Sequence, residues 1–131
     1  MKLTLLTPAR KLLEGFEVQK VTLNGSEGQI EILPGHAQMM GTMETGSFAY
    51  ETNAGTDMGF ISTGFFEVKD DTVTVLAETL ELKKEIDASR AEQAQRKAEE
   101  MLKDSALSTD HFKKYQLKLE RAIIRQQIVK H

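Results

Sequence analysis

A single change of hydrophobic period, near residue 87, constrains the fold of this chain more than any other feature of its sequence. Before that point apolar and polar residues alternate over short runs, as in half-buried strands. After it, apolar residues recur every three or four positions, as on one face of a helix. Asp87 stands at the change and is suited to cap a helix, because its carboxylate can accept hydrogen bonds from the amides of Ser89 or Arg90. The sequence therefore predicts a β domain over residues 1–84 and a helical domain over residues 85–131.

Turn residues divide the β domain into short strands. Asn24-Gly25, Pro34-Gly35 and Asp70-Asp71 are predicted to be turns, and Gly64 to mark a bulge or a close backbone approach. The predicted strands cover residues 2–7, 17–23, 28–33, 37–43, 47–52, 58–62, 65–69 and 72–77. Short strands at this spacing predict an antiparallel β-sandwich, or flattened barrel, made of sequential hairpins.

The helical domain is predicted to be an antiparallel two-helix hairpin, so the fold class is α+β with segregated domains. Residues 103–108 suit the connecting loop, with Ser108 or Thr109 as the second cap. The apolar stripe is Ala88, Ala91, Ala94, Ala98, Met101 and Leu102 in the first helix, and Phe112, Tyr115, Leu119, Ala122, Ile123 and Ile128 in the second. Buried alanine contributes little beside the roughly 1.5–3 kcal/mol of a buried Leu or Ile. We therefore expect either a marginal hairpin with a second arrangement of similar free energy or, as the alternative, a permanently docked one.

The composition excludes or disfavours several kinds of site and partner. The chain has no cysteine, which excludes disulfides and thiolate chemistry, and its three histidines lack the spacing of metal ligands. The net charge is −3, but residues 81–131 hold twelve basic and nine acidic residues, so this part is the basic one. The interleaved acids argue against a nucleic-acid partner and favour a small anionic ligand or an acidic protein surface. We expect no metal site and no nucleic-acid binding.

The sequence has no pattern for membrane insertion. No stretch near the start has the regions of a signal peptide, and no apolar run approaches the roughly 20 residues of a membrane span. We expect a cytosolic protein unless a partner brings it to a membrane.

Catalytic patterns are weak. Residues 25–29 are rich in glycine, but a phosphate cradle needs a helix after the loop, and here a strand follows. His36 with Ser62 or Ser26 lacks a nucleophile elbow and an orienting third residue. We expect no catalytic residues.

The charged residues of the helical domain form the other candidate site. They are Glu81, Asp87, Arg90, Arg96, Lys97, Arg121 and Arg125. Arg121 and Arg125 are four residues apart and share a helix face, as do Arg90 and Lys97 about two turns apart. An antiparallel hairpin would bring both pairs together to bind phosphate. The alternative is a solvated face whose salt bridges contribute at most about 1 kcal/mol each.

Three segments resemble one known family. They run from Gly25 to Ala37 (GSEGQIEILPGHA), from Ser62 to Val68 (STGFFEV) and from Val73 to Ala77 (VTVLA). In order and spacing they are similar to the epsilon subunits of bacterial and plastid F-type ATP synthases, and the resemblance covers nearly the whole chain. The family usually has glycine where Glu31 stands, proline where Gln38 stands and a second glycine where Thr63 stands, so local turn geometry is expected to differ there.

The resemblance implies a non-catalytic rotor subunit. In the family the β-sandwich links the gamma subunit to the ring of c subunits in the central stalk, which couples proton flow to ATP synthesis. The implied contacts are Ser26, Glu27, Gly28 and Gln29 for the polar loops of the c-ring, and Gly35 and His36 for gamma. Many members have an acid where Gln29 stands, which leaves the charge to Glu27. The implied location is peripheral, on the cytoplasmic face of the bacterial plasma membrane or the stromal face of a thylakoid.

The resemblance also implies a regulatory hairpin. In the family it is either compact or extended along gamma toward the alpha and beta catalytic subunits, where it inhibits ATP hydrolysis, and in some members ATP stabilises the compact form. The implied ATP-binding residues are Glu81, Ile86, Asp87, Arg90, Ala91, Lys97, Arg121 and Arg125. Lys97 replaces an arginine of the tighter binders, so weaker binding is expected. ATP is thus a regulatory ligand, and no cofactor is required.

Two other functions remain as alternatives. The chain could be a free-standing nucleotide-sensing module, which co-purification with gamma and the catalytic subunits would distinguish from a rotor subunit. An esterase built on the sandwich, with Ser62 and His36, is the third reading, and Ser62→Ala or His36→Ala would test it.

Overall fold

The structure is a computed structural model that describes residues 1–131 and divides into two compact units, Met1–Lys83 and Lys84–His131. The strands of the first unit are β1 (Lys2–Leu6), β2 (Lys11–Glu17), β3 (Lys20–Gly25), β4 (Gly28–Ile32), β5 (Met39–Met43), β6 (Gly46–Thr52), β7 (Gly55–Ile61), β8 (Gly64–Lys69), β9 (Thr72–Ala77) and β10 (Leu80–Leu82). A 3-10 turn (Lys83–Glu85) follows them. The helices are α1 (Ala88–Leu102) and α2 (Thr109–Val129). The predicted fold class, a β-sandwich followed by two contacting helices, is confirmed.

The strands form one sheet that folds over into the sandwich. Their order is β10-β7-β6-β3-β5-β8-β9-β1-β2, and β4 pairs with β3. The pair β1–β9 is parallel, whereas the other pairs are antiparallel. Sequential hairpins of the predicted kind are present at β1–β2, β3–β4, β6–β7 and β8–β9, but β5 departs from this pattern, because it pairs with β3 and β8 rather than with the strands next to it in the chain.

The core of the sandwich follows from the alternation of its strands. Leu3 and Leu5 of β1 are fully buried and lie beside Val73 and Val75 of the parallel strand β9. Successive side chains of a strand point to opposite faces, so residues two apart share the buried face. The side chains between these positions therefore point away from the core.

The turn predicted at Asn24-Gly25 lies two residues further on. Both residues belong to β3, and Ser26 and Glu27 form the turn between Gly25 and its partner Gly28. Gly25 is buried, and a Cβ there would lie 2.8 Å from the carbonyl oxygen of Gly28. The positive φ is instead at Gly28, at 125°. The glycine of the Asn-Gly pair thus serves close packing within the sheet rather than a tight turn.

Other turn and strand predictions had mixed outcomes. The turns at Pro34-Gly35 and Asp70-Asp71 are confirmed, with φ of 84° at Gly35. The close approach at Gly64 is confirmed, since a Cβ there would lie 2.2 Å from the carbonyl oxygen of Leu76. Strands β2 and β10 were not predicted. Most of β2 is exposed and its pairing with β1 is irregular, so it shows no alternation.

Both helix caps are confirmed. The Asp87 carboxylate accepts a hydrogen bond from the amide of Arg90 at 3.1 Å, and the Ser108 hydroxyl accepts one from the amide of His111 at 3.2 Å. These bonds satisfy amides that have no partner within the helix. The change of period therefore does mark the start of α1.

A hydrogen bond between the helices fixes their direction and register. Gln126 Nε2 donates to Gln95 Oε1 and, at 3.1 Å, to the carbonyl of Ala122. At 1.5 Å per residue, Gln95 lies about 10 Å before the end of α1 and Gln126 about 25 Å after the start of α2. A parallel pair would separate Leu102 from Thr109 by about 36 Å, which seven steps of roughly 3.5 Å cannot span. The helices are therefore antiparallel, and α2 extends about 15 Å past the end of α1.

The buried positions of the hairpin are few and mostly small. Ala91 and Ala98 are buried in α1, and Ala122 and Ile128 in α2. Several stripe residues predicted from spacing alone are exposed instead, namely Ala88, Ala94, Phe112 and Ile123. Phe112 lies in the part of α2 that extends past α1, which explains why helical spacing did not lead to burial there.

Candidate functional site

An apolar surface on the outside of the sandwich is its most prominent feature. Thr42, Phe65, Leu76 and Leu6 are paired in turn across the neighbouring strands β5, β8, β9 and β1. Met40 lies two residues from Thr42 and so shares its face. Together these residues line an open groove of about 540 Å³. Met40 and Phe65 are 73% and 57% exposed, so we call Leu6, Met40, Phe65 and Leu76 the docking face.

The sequence prediction missed the docking face, although a signal was present. Each strand that contributes to it contains two adjacent apolar residues: Leu5-Leu6, Met39-Met40, Phe65-Phe66 and Val75-Leu76. Because neighbouring side chains point to opposite sides of a sheet, one residue of each pair faces outward; its neighbour enters the core in β1, β8 and β9, whereas Met39 of β5 is itself exposed. Four such pairs in strands that lie side by side produce an apolar outer face, but their adjacency is known only from the topology.

The turn predicted to contact gamma leads directly into the docking face. His36 donates its amide to the carbonyl of Leu33 at 3.1 Å, which closes the turn around Pro34-Gly35. His36 Nδ1 lies 2.8 Å from the carbonyl of Ala37 and donates to it, since a carbonyl can only accept. The Gly35 amide donates to Asp71 Oδ1 at 3.1 Å. This hydrogen bond holds the pKa of the Asp71 carboxyl below its usual value.

The loop predicted to face the c-ring is the exposed end of the β3–β4 hairpin. Its four residues, Ser26, Glu27, Gly28 and Gln29, are all exposed. Ser26 ties the loop to β5, because its amide donates to the carbonyl of Thr42 at 2.9 Å and its hydroxyl lies 2.7 Å from that of Thr42. The loop is thus held at its base and presents a carboxylate, Glu27, to solvent.

The register of the hairpin brings three of the four basic residues implied to bind ATP to similar levels along the helix axes. Counted from the Gln95–Gln126 bond, Lys97 is level with residue 124, between Arg121 and Arg125. Arg90 is level with the end of α2, about 9 Å along the axis from Arg125. Arg90 and Lys97 are exposed, whereas Arg121 and Arg125 are half-buried. Arg90 was also predicted to lie beside the arginines of α2, and the register places it at a different level along the axis.

The side chain of Arg121 is unusual in having a buried hydrogen-bond donor without an acceptor. Its Nε atom is buried and makes no hydrogen bond. A buried N–H without an acceptor costs about 1–3 kcal/mol, so such groups are few in folded proteins. An anionic acceptor would remove this cost.

The remaining predicted ATP-binding residues surround the start of α1, except for one. Asp87 already caps the helix through Oδ1, which leaves Oδ2 for a further donor. Ile86 is half-buried and Ala91 is buried. Glu81 lies in β10 of the first unit, opposite Phe60 of β7.

Other site types find no support in the structure. No group of three or more His, Asp or Glu side chains is placed to hold a metal ion. Neither helix combines the length and apolar character that crossing a membrane requires. Ser62, the candidate nucleophile, is buried, and its hydroxyl accepts a hydrogen bond from the amide of Thr79 at 2.9 Å. That serine therefore links the end of β7 to the segment before β10.

Two family models together cover nearly all of the chain. Residues 1–83 match the β-sandwich domain of the ATP synthase delta/epsilon chain, and residues 84–130 match its long α-helix domain. The chain is 40% identical over 128 residues to the ATP synthase epsilon chain of Citrifermentans bemidjiense, which covers 98% of this chain and 92% of the relative. It is 39% identical to that of Trichlorobacter lovleyi over the same shares of both chains.

Solved structures share the fold at lower identity. A chain in the mitochondrial ATP synthase of Euglena gracilis superimposes with a TM-score of 0.83 at 23% identity, covering 100% of this chain and 81% of that one. A chain from the central stalk and c-ring of the Tetrahymena thermophila enzyme gives 0.64 at 15%, covering 98% and 96%. With both of its domains matched and close to 40% identity to bacterial epsilon chains over almost its full length, this protein belongs to the ATP synthase delta/epsilon chain family, as an epsilon chain.

Proposed function

We propose that this chain joins gamma to the c-ring in the central stalk of a bacterial F-type ATP synthase, with a C-terminal hairpin that restrains ATP hydrolysis and responds to ATP. As an epsilon chain it is a non-catalytic subunit of that enzyme. It would be peripheral, on the cytoplasmic side of the membrane, held there by its partners. The observation that carries the coupling role is the docking face.

The docking face has the properties of a protein interface. Large apolar side chains exposed side by side on a soluble domain mark interaction sites, whereas scattered ones need no explanation. Met40 and Phe65 are among the most exposed large apolar side chains of the chain. Gamma is the proposed partner, because the turn of Gly35 and His36 leads into this face through β5. Burial of this face would supply the affinity, and the turn would set the orientation.

The proposed c-ring contact is a polar surface, unlike the apolar docking face. Ser26, Glu27 and Gln29 are polar and exposed, and the loop is anchored to β5 through Ser26. A polar contact suits the loops of a rotating ring, which are themselves polar in the family. Glu27 supplies the charge of this contact, and Gln29 hydrogen-bonding groups.

The test of the docking face uses charge substitutions at exposed positions. Met40→Glu and Phe65→Glu each place a carboxylate within the docking face and should weaken binding to purified gamma by about tenfold or more. Thr56→Glu, at an exposed position of β7, is the control and should bind as the wild type does. Isothermal titration calorimetry gives the affinity, and thermal melts show whether each variant is folded. Wild-type affinity in both face variants would contradict the proposal.

The hairpin is the proposed regulatory element. Its buried positions are mostly alanine, so little free energy holds its helices together. ATP at about 100 times its dissociation constant would stabilise a binding-competent form by roughly 2.7 kcal/mol, enough to reverse a modest preference for another arrangement. The unpaired Nε of Arg121, with Arg125 one turn on and Lys97 at a similar level, supports a phosphate site. Calorimetry with ATP on the full chain tests this proposal, and no heat at millimolar ATP would contradict it.

The part of α2 beyond the end of α1 suits the inhibitory contact. It exposes Phe112 and Leu117, and Lys113, Lys114 and Lys118 lie beside them. Apolar anchors among cations fit an acidic protein surface. The catalytic alpha and beta subunits are the partners proposed for this segment when the hairpin extends.

A further inference from the structure

The segment between β4 and β5 has little support from its own side chains. Residues 33–38 are all exposed, including 52% of Leu33. The bond from the His36 amide to Leu33 closes the turn but does not fix its direction relative to the sheet. Exposed loops without outside contacts open at low free-energy cost. A contact from elsewhere in the fold is needed to hold this turn in one orientation.

Asp71 makes that contact from a distant part of the chain. Its Oδ1 accepts the amide hydrogen of Gly35 at 3.1 Å, and its Oδ2 lies 3.4 Å from the amino group of Met1. Its own carbonyl accepts from the amide of Lys2 at 3.0 Å, which ties Asp71 to the start of β1. The lowered pKa means that the carboxylate is charged at neutral pH, and hydrogen bonds to charged groups are the stronger ones.

The backbone conformation at Asp71 does not by itself explain why its carboxylate reaches the Gly35 amide. Asp70 and Asp71 connect β8 to β9 with φ of 51° and 57°, and they are the non-glycine residues with positive φ in this chain. Glycine and asparagine adopt this conformation most readily, so the turn by itself does not call for aspartate. Asp70 has the same conformation, yet its carboxylate makes no hydrogen bond or ion pair. The two residues therefore differ in contacts rather than in backbone.

We infer that Asp71 is a positioning residue for the gamma contact: its carboxylate, fixed between β1 and the β8–β9 turn, holds the Gly35 amide and thereby orients the turn that presents His36. The inference rests on the proposed contact of this turn with gamma. Asp71 need not touch gamma itself. It acts by keeping the turn in the orientation that binds.

The test compares two substitutions in the same turn of the full chain. Asp71→Gly removes the acceptor and suits the positive φ, so this variant should fold. Asp70→Gly makes the same backbone change without removing that contact and is the matched control. In Asp71→Gly the exchange of the Gly35 amide with solvent, measured by NMR, should become about tenfold faster. Asp71→Asn keeps an uncharged acceptor and should give an intermediate rate.

Binding to gamma provides a readout that a purely structural role would not change. Asp71→Gly should bind purified gamma about three- to tenfold more weakly, while Asp70→Gly binds as the wild type does and the amides of β8 and β9 exchange equally in both. Unchanged exchange at Gly35, or equal gamma affinity in the two variants, would overturn the inference. If the wild type itself failed to bind gamma, both the proposed function and the positioning role would be contradicted. The exchange rates would still show whether Asp71 holds the turn.

Discussion

At the proposed ATP site, the side chain of Lys97 affects how many hydrogen-bond donors a phosphate can meet. It is exposed on α1 and lies at about the axial level of Arg121 and Arg125, which makes it the third cation of the proposed site. A lysine offers a point charge, whereas an arginine offers two parallel N–H donors to a phosphate. The sequence analysis expected the hairpin to bring both Arg90 and Lys97 to Arg121 and Arg125, and the register brings Lys97 closer to their level than Arg90.

Replacing Lys97 by arginine should therefore strengthen ATP binding. A second donor to the same phosphate group corresponds to roughly a three- to tenfold lower dissociation constant, measured by calorimetry on the full chain. Lys113→Arg, at an exposed position of α2 about 12 Å along the axis from Arg121, makes the same change of residue type away from the arginines and is the control. Equal affinities of the wild type and Lys97→Arg would show that Lys97 does not touch the ligand.

At the scale of elements, the hairpin depends on a few contacts. Its buried alanines allow a close approach of the helices but bury little apolar area, and the hydrogen bond between Gln95 and Gln126 forms a polar link across them. Polar pairs between packed helices specify one register, often at some cost in stability. The stripe of small residues predicted two contacting helices, whereas the glutamine pair was not recognised because glutamine looks like a surface residue in sequence.

A double-mutant cycle measures the contribution of this pair. The single variants Gln95→Ala and Gln126→Ala and the double variant should show a coupling free energy of about 0.5–1.5 kcal/mol for opening of the hairpin, measured by amide exchange in α1. The pair Glu92 and Arg96, exposed on α1, provides a control cycle that should couple by about 0.5 kcal/mol or less. A coupling near zero for the glutamines would mean that the bond does not set the register.

At the scale of the whole molecule, the large buried core and the proposed regulatory element lie in different units of the chain. The buried core cluster lies entirely within residues 1–83, so the sandwich has a core of its own. The second unit has only a few buried side chains. This division fits a role in which the first unit stays bound to the rotor while the hairpin changes its arrangement.

Deletion of residues 88–131 tests this division of roles. The truncated chain should keep its sandwich, because its core is complete without the hairpin, and should still assemble with gamma and the c-ring. ATP hydrolysis by the assembled enzyme should rise several-fold, since the segment proposed to inhibit it is gone. Met40→Glu in the full chain should instead impair assembly with gamma, although the hairpin is present. Unchanged hydrolysis after the deletion would exclude inhibition by the hairpin in this protein.

The sequence alone determined the features that depend on neighbouring residues. The change of period at Asp87, the caps at Asp87 and Ser108, and the turns at Pro34-Gly35 and Asp70-Asp71 follow from local conformational preferences. Its motifs also indicated the family, which the family models and relatives confirm. These features need no knowledge of which strands meet.

The tertiary structure decided everything that depends on which distant residues lie side by side. Only strand order aligns Leu6, Leu76 and Phe65 into the docking face, and only the fold brings Asp71 to Gly35, 36 residues away in the chain. The exposed turn at Ser26 and Glu27 replaced the predicted one because Gly25 was required where two backbones approach closely. Long-range pairing leaves no local pattern in a sequence, since either partner is compatible with many others.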